Sequence, residues 1–532
     1  MEITILFVSV IILLCVLAEK FSGKFGMPAL ILFMFIGMLF GSDGIFKIPF
    51  DNFKLAENIC TVALLFIMFY GGFNTKWELA KCVAAKSIIL STVGVVITAA
   101  ISTLLCHLFL GLTLAESFLI SAVLASTDAA SVFSILRTKN LNLKDGTASL
   151  LELESGSNDP MAYLLTIIGI SVMGKGTDEN IFVNVMLQII FGVLIGVVAA
   201  KLTIFIISKT PLISDGLETI FMIALVLLCY ALTALTKGNV LLSVYIMGIL
   251  IGNSNIKGKN TLIPFFDGVT SLSQILIFFL LGLLTFPHLM PNVFLIALAI
   301  VIILTLIARP IAVFTILLPL KCSIRQCLLV SWAGLRGAAS SVFAIVVIAS
   351  GVDMQHDLFH IVFLVSLFSV AVQGTLLPAV AKKLDMIDDS IDVRKTFNDY
   401  QEESSITLMR MYIPEGHNWA NRAVKDVNMP TGSLALMIKR DGETIITKGD
   451  TVIKAGDNVI LSVPAYNANE NETLEEVLIN HSHTWKDKCI SELNLPSNEL
   501  IAMIIRGSEN IIPDGKTVIH ENDIVVEYHT EA

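Results

Sequence analysis

Residues 151–170 read Leu-Glu-Leu-Glu-Ser-Gly-Ser-Asn-Asp-Pro-Met-Ala-Tyr-Leu-Leu-Thr-Ile-Ile-Gly-Ile. They lie in an otherwise apolar run, 146–173, long enough to cross a bilayer, which takes about 20 residues as a helix. Ionisable groups inside such a run are costly, so Glu152, Glu154 and Asp159 are functional candidates. Helical spacing sorts them. Ser155 and Asp159 are four apart and share a face, as do Glu154 and Asn158, while Glu152 lies two turns from Asp159 on a similar side. Gly156 lets a neighbouring helix approach closely, and Pro160 removes a backbone donor, which is expected to free the carbonyl of Gly156. A carboxylate, a hydroxyl and free carbonyls make a hard-oxygen site, suited to an alkali cation rather than a soft metal.

Outward from this stretch, the chain has 532 residues, 55% hydrophobic and only 15% charged, with a mean hydropathy of +0.80. Soluble domains carry about a quarter charged residues, so lipid must cover much of this surface. The charge is uneven. Residues 1–383 hold 22 Lys+Arg against 19 Asp+Glu, and the remainder holds 13 against 26. The first part reads as a membrane body and the second as an acidic soluble tail, a poor partner for nucleic acid. The eight cysteines form no Cys-x-x-Cys pair and read as small hydrophobes. Glu2 in place of a basic region makes the N-terminus an uncleaved span rather than a signal peptide.

Thirteen apolar segments are expected to span the membrane, among them a short second (28–42), a fifth (115–136), a sixth (146–173), a short ninth (239–254), an eleventh (292–320) and a twelfth (325–350). Alternate loops collect the basic residues. One set holds 16, including Lys20, Lys24, Lys76, Lys81, Lys139, Lys144, Lys257, Lys259, Lys382 and Lys383; the other has only Lys47, Lys54, Lys175 and Lys237. Positive loops stay inside, which predicts an inner-membrane protein with its N-terminus outside and its tail in the cytoplasm.

Further ionisable candidates within spans are Asp128 in Ala125-Ser126-Thr127-Asp128-Ala129-Ala130-Ser131, Arg309 before Pro310, and Arg336 in Gly334-Leu335-Arg336-Gly337-Ala338. Glu154 is read as the structural partner of Arg336 or Arg309. Two roles are open to Asp128: liganding an ion through water, or capping helix ends where the fifth span unwinds near Thr127. Glu152 is open between an interfacial and a site role. Asp159 is left as the transport carboxylate. An aspartate held partly out of water titrates nearer neutrality, so one site holds either a proton or a cation. If it crosses loaded but not empty, the two fluxes are coupled.

At these residues the chain resembles the monovalent cation:proton antiporter superfamily, most closely its NhaP-like, cell-volume-regulation (CvrA-type) potassium/proton antiporters. The carrying motifs are Ser126-Thr127-Asp128-Ala129-Ala130, Glu154-Ser155-Gly156-Ser157-Asn158-Asp159-Pro160 and Gly334-Leu335-Arg336-Gly337-Ala338, in that order. The resemblance implies a polytopic all-α transporter of about 13 spans, with an inverted repeat (spans one to six against eight to thirteen). It also implies two unwound crossing helices, the fifth and twelfth, a homodimer and elevator-like alternating access. It implies cation and proton ligands at Asp159, Ser155, Asp128, the Thr127 backbone and Asn158, a structural pair at Glu154 with an arginine, and electroneutral exchange from the Asn158-Asp159 pair. Related proteins carry an acid where this chain has Tyr70, so Tyr70 is a candidate modifier of which cation fits. Potassium is favoured and sodium is the alternative; a tail-gated cation channel is the competing class, disfavoured by the absence of a Thr-Val-Gly-Tyr-Gly filter. No enzyme constellation and no cofactor is implied.

Residues 384–404 read as an acidic linker. Beyond them the chain repeats at an offset of 66: Trp419 falls on Trp485, Pro430 on Pro496, Arg440 on Arg506, Gly449 on Gly515 and Asp457 on Asp523. β-type runs (433–439, 444–447, 458–463, 499–505, 524–527) alternate with turn signals such as Asp441-Gly442. Residues 405–465 resemble a TrkA-C domain, the C-lobe of potassium-conductance regulators, and 466–532 a diverged copy. Together they predict a small α+β regulatory region, for which the resemblance implies a cyclic dinucleotide or an ion as ligand. His481 and His483 read as an exposed loop rather than a metal site.

Overall fold

The structure is a computed structural model. It describes residues 2–25, 28–75, 77–139, 141–175, 181–209, 217–254, 256, 259–387, 406–427, 429, 433–440, 443–464, 472–479, 483, 485–493, 499–506, 509–511, 513–521 and 523–530. Most of the acidic linker, the Asp441-Gly442 turn, Pro430, Pro496 and His481 lie outside the described residues. The chain forms two compact units, 1–401 and 402–532.

The described elements of the first unit are all helices. In order it runs α1 (Glu2–Phe25), α2 (Ala29–Phe40), α3 (Phe53–Asn74), α4 (Trp77–Ile89), α5 (Val95–Leu110), α6 (Leu114–Val123), α7 (Ala129–Thr138), α8 (Thr147–Ile170) and α9 (Ile181–Lys209). It continues with α10 (Leu217–Leu235), α11 (Val240–Gly252), α12 (Lys259–Leu283), α13 (Met290–Ile302), α14 (Arg309–Leu317), α15 (Ile324–Trp332), α16 (Ala338–Ala349), α17 (Leu358–Phe368) and α18 (Thr375–Lys383). Seven helical stretches among the described residues are long and apolar enough to cross a membrane, and α2, α6, α11 and α16 are shorter apolar helices. Each predicted apolar segment coincides with one helix or with two in succession.

Local chemistry sets the starts. Asn52, Thr113, Asn239, Ser323 and Asp357 each accept a backbone N–H through the side chain, capping α3, α6, α11, α15 and α17. Small residues then bring helices together. A Cβ on Gly248 of α11 would stand 2.4 Å from the Phe69 carbonyl of α3, so only glycine admits this crossing.

The irregularities recur in order. The second and ninth segments are the short helices α2 and α11. The fourth and eleventh each contain a π-helical turn, Leu90–Gly94 and Ile303–Ala308. The fifth and twelfth are broken, α6 from α7 and α15 from α16. Matching defects in matching places, six segments against six, are what a duplicated architecture produces.

The second unit contains two sheets of identical plan. β1 (Ile406–Tyr412), β2 (Leu434–Arg440), β3 (Glu443–Ile446) and β4 (Asn458–Pro464) pair in the order β1-β4-β2-β3. β5 (Glu472–Leu478), β6 (Glu499–Arg506), β7 (Glu509–Ile511) and β8 (Ile524–Thr530) pair as β5-β8-β6-β7. Every pairing is antiparallel, and each lobe has its bulge at the same place, Ala435/Met437 and Ile501/Met503. The 66-residue offset maps β1, β3 and β4 onto β5, β7 and β8. Where the sequence predicts α+β, the described residues of this unit form strands and one short 3₁₀ turn per lobe, Val424–Asp426 and Ile490–Glu492. The acidic strand β5 carries no alternating pattern, since the apolar residues of its Glu-Thr-Leu-Glu-Glu-Val-Leu fall at 474, 477 and 478; its pairing with β8 makes it a strand.

Candidate functional site

The two broken segments meet at their breaks. The Asp128 N–H donates to the Leu335 carbonyl at 2.9 Å. Arg336 Nη1 donates to the carbonyls of Ala125 (2.8 Å) and Ser126 (2.7 Å), which the end of α6 leaves free. Gly337 makes the crossing possible, since a Cβ there would lie 1.9 Å from Asp128 Oδ2. Asp128 heads α7, where its Oδ1 accepts the Ser131 N–H at 3.3 Å and its Oδ2 accepts the Ser131 hydroxyl. The capping role is therefore present, and Asp128 also lines the cavity described below.

α8 lies against this crossing and presents its acids in the expected sorting. Ser155 Oγ donates to the Thr127 carbonyl at 2.5 Å, and Asn158 Nδ2 donates to Thr127 Oγ1 at 2.5 Å. Ser126 Oγ donates to Asp159 Oδ1. Glu154 takes Arg309, not Arg336: two parallel bonds of 3.0 Å join guanidinium and carboxylate, with both side chains buried. Asn158 Nδ2 adds a 3.3 Å bond to Glu154, four residues away. Arg336 spends its charge on carbonyls. Among the described residues no arginine or lysine pairs with Asp159.

α8 runs unbroken through Gly156 and Pro160, from Thr147 to Ile170. Lipid-embedded helices tolerate proline; the carbonyl that Pro160 leaves without its intrahelical donor is that of Gly156, while Asn239 Nδ2, at the head of α11, donates to the Pro160 carbonyl at 2.8 Å. In the break of the fifth segment the carbonyls of 125–127 are taken up by side chains, Ala125 and Ser126 by Arg336 and Thr127 by Ser155. Gly156 serves close approach, because a Cβ there would meet Tyr245 Oη at 2.9 Å.

Asp159 is 8% exposed and opens on a cavity of about 420 Å³ that Thr127, Asp128, Glu152, Ser155 and Tyr70 also line. Five carboxylates face it, from Glu19, Asp128, Glu152, Asp159 and Asp267, and no basic side chain among the described lining residues. Such a site concentrates cations and repels anions. A second cavity, of about 740 Å³, lies at the other ends of these helices and includes Glu57, Gln188, Tyr163 and Phe343. Tyr163, one turn along α8 from Asp159, packs on Phe343 with ring centroids 5.7 Å apart. Leu64 borders both cavities.

Asp267 was missed by sequence reasoning. It stands in the first turns of α12, and Tyr70 Oη donates to its Oδ1 at 3.0 Å. The available signal was an acid within the tenth apolar segment; its partner, 197 residues away, carries no local pattern. Among the described residues no group of three or more His, Cys, Asp and Glu is arranged to hold a metal.

The chain is similar to known proteins over both units. The family described as "Sodium/hydrogen exchanger, transmembrane" matches residues 9–383, and the TrkA-C domain matches 408–470 and again 474–526. The K(+)/H(+) antiporter NhaP of Alkalimonas amylolytica is 34% identical over 452 residues, 84% of this chain and 79% of that one. The K(+)/H(+) antiporter NhaP2 of Shewanella sp. (strain ANA-3) is 31% identical, over 82% and 76% of the two chains. The Na(+)/H(+) antiporter ApNhaP of Aphanothece halophytica is 26% identical over 64% and 67%. The sodium proton antiporter MjNhaP1 of Methanocaldococcus jannaschii has a similar fold, with a TM-score of 0.63 at 23% identity over 72% of this chain and 99% of that chain.

Proposed function

The chain belongs to the sodium/hydrogen exchanger family, and on that premise we propose that Asp159 is the group for which one monovalent cation and one proton compete. The protein is a membrane-embedded monovalent cation/proton antiporter. The carrying observation is a buried carboxylate that borders a cavity whose charged lining residues, among those described, are all acids, and whose nearby arginines are committed elsewhere. A permanent guanidinium partner would hold Asp159 ionised; without one, proton and cation exclude each other. Ser155, Asp128, Asn158 and the backbone of Thr127 complete an oxygen-rich surround.

Potassium is the proposed cation, as in the relatives named K(+)/H(+) antiporters, and sodium is the alternative. Because Asn158 is neutral, one charge is exchanged for one, so the rate is insensitive to membrane potential. The cavity mouth adjoins the ends of α1, α3, α8 and α12 next to the lysine-rich loops. With those loops in the cytoplasm of an inner-membrane protein, this cavity is the inward-facing one, and Leu64 borders both it and the second cavity. Movement of α8 and the crossing between the two cavities then alternates access, in a homodimer embedded in lipid whose twin lobes take a small regulatory ligand, a cyclic dinucleotide or an ion, in the cytoplasm.

The test is proton flux in proteoliposomes with potassium, sodium, lithium and rubidium compared. Wild-type protein is expected to show alkali-cation-dependent flux and Asp159→Asn none. Robust cation-driven proton movement in Asp159→Asn refutes the assignment.

A further inference from the structure

Beyond the exchange carboxylate, the cavity holds a second constellation. On α12, Asp267, Thr270, Ser271 and Gln274 follow the i, i+3, i+4, i+7 pattern of one helical face, and all four line the cavity. Asp267 is exposed to it, whereas Thr270 Oγ1 is buried without a hydrogen-bond partner. Opposite, on α3, Tyr70 holds Asp267 by its hydroxyl at 3.0 Å. The preceding residues fix that register: Phe69 packs edge-on against Phe266 with centroids 4.9 Å apart. No basic side chain among the described residues neutralises Asp267.

We propose that Asp267, oriented by Tyr70, recruits the cation at the cavity mouth and sets which alkali cation is admitted. The inference rests on the exchange reading and adds a selecting site ahead of Asp159. A carboxylate, a phenol, two hydroxyls and an amide oxygen can replace part of a hydration shell with hard oxygens. The Tyr70 hydrogen bond draws on the carboxylate's negative charge and weakens its field. A weaker field favours the larger, less tightly hydrated ions, so the pair prefers potassium and rubidium over sodium and lithium. Here the acid sits across the hydrogen bond, on α12, rather than at position 70 itself. A merely structural bolt between α3 and α12 would affect folding and turnover, not the apparent affinity for one ion over another.

The experiment measures cation KM and kcat in proteoliposomes for wild type, Asp267→Asn, Asp267→Glu, Tyr70→Phe and the exchanged pair Tyr70→Glu/Asp267→Asn. Asp267→Asn is expected to raise the potassium KM about tenfold at low ionic strength, with kcat changed less than twofold and the effect shrinking in salt. Asp267→Glu and the exchanged pair should recover most of the affinity, and Tyr70→Phe should shift preference toward sodium. Calorimetric titration of purified Asp159→Asn with rubidium gives a readout independent of exchange: weak binding should persist there and vanish in Asp159→Asn/Asp267→Asn. If wild type moves no protons against cations, the exchange reading fails. If wild type exchanges but Asp267→Asn leaves every KM unchanged, or lowers kcat alone, or if the rubidium signal is indifferent to Asp267, the recruiting role is overturned.

Discussion

Glu154 and Arg309 show what a buried charge costs and why this one stays. Each side chain is at most 3% exposed, and the fork of two 3.0 Å bonds satisfies both carboxylate oxygens. Removing either partner strands a charge away from water, a loss of about 3–5 kcal/mol. Glu154→Gln and Arg309→Met are each expected to lower the melting temperature of the detergent-purified protein. The double variant should lose less than the sum of the two, because the pair is one energetic unit. A double-variant loss equal to or above that sum would contradict the coupling. The sequence presents two arginines to one glutamate and does not choose. What decides is that Arg336 meets the carbonyls of Ala125 and Ser126, and backbone carbonyls freed by a helix break leave no mark on residue type.

At the scale of elements, the decisive feature is the crossing of α6–α7 with α15–α16. Each break exposes carbonyls at one half-helix end and N–H groups at the next, a partial charge of each sign. Arg336 answers the carbonyl end of α6 and Asp128 the N–H end of α7. Gly337 lets the strands of the crossing touch. Gly337→Ala leaves no room for the Asp128 side chain where it stands, and its misplacement is expected to cut exchange on the order of a hundredfold. Proteoliposomes with matched protein content measure it, and an unaltered rate would show that the crossing is softer than its packing. Much of this was legible: Ser126-Thr127-Asp128 and Gly334-Leu335-Arg336-Gly337 mark polar, small residues in greasy runs, which is where a lipid-embedded helix unwinds. The Gly156–Pro160 stretch has the same look yet stays helical, packed against Tyr245 at Gly156 and tied at the Pro160 carbonyl to Asn239, 79 residues away. Local sequence announces a weak point, and tertiary partners decide whether it opens. Asp267 stayed hidden for the same reason, its meaning being supplied by Tyr70 on another helix.

Over the whole molecule, duplication is the common theme, and in the tail it reaches side-chain detail. Arg440 Nε and Nη2 donate to the two oxygens of Asp457, each at 2.7 Å, and Nη2 also reaches the Val452 carbonyl. Arg506 repeats this with Asp523, at 2.9 and 2.8 Å, and with Val518. The hydrogen bonds from Arg440 hold the Asp457 carboxyl below its usual range against the opposing effect of burial. Burial pulls Asp523 upward, but the bonds from Arg506 and the His520 N–H outweigh it, and the net displacement is again downward. In the unfolded chain an aspartate titrates near 3.9. Below that value the unfolded state binds more protons than the folded one, so stability rises with pH there and levels off above. The contribution of both clamps is therefore complete above about pH 4 and disappears as pH falls through the depressed folded values. Urea unfolding of the full chain can be followed by Trp419 and Trp485 fluorescence in a Trp77→Phe/Trp332→Phe background. It should show a flat stability from pH 7 to 5 and a decline below about 4. Arg440→Met and Arg506→Met are each expected to cost their own lobe about 3 kcal/mol near neutrality and to flatten that acid decline. A decline of undiminished slope in either variant would mean that other carboxylates, not the clamps, set the acid limit of the lobes.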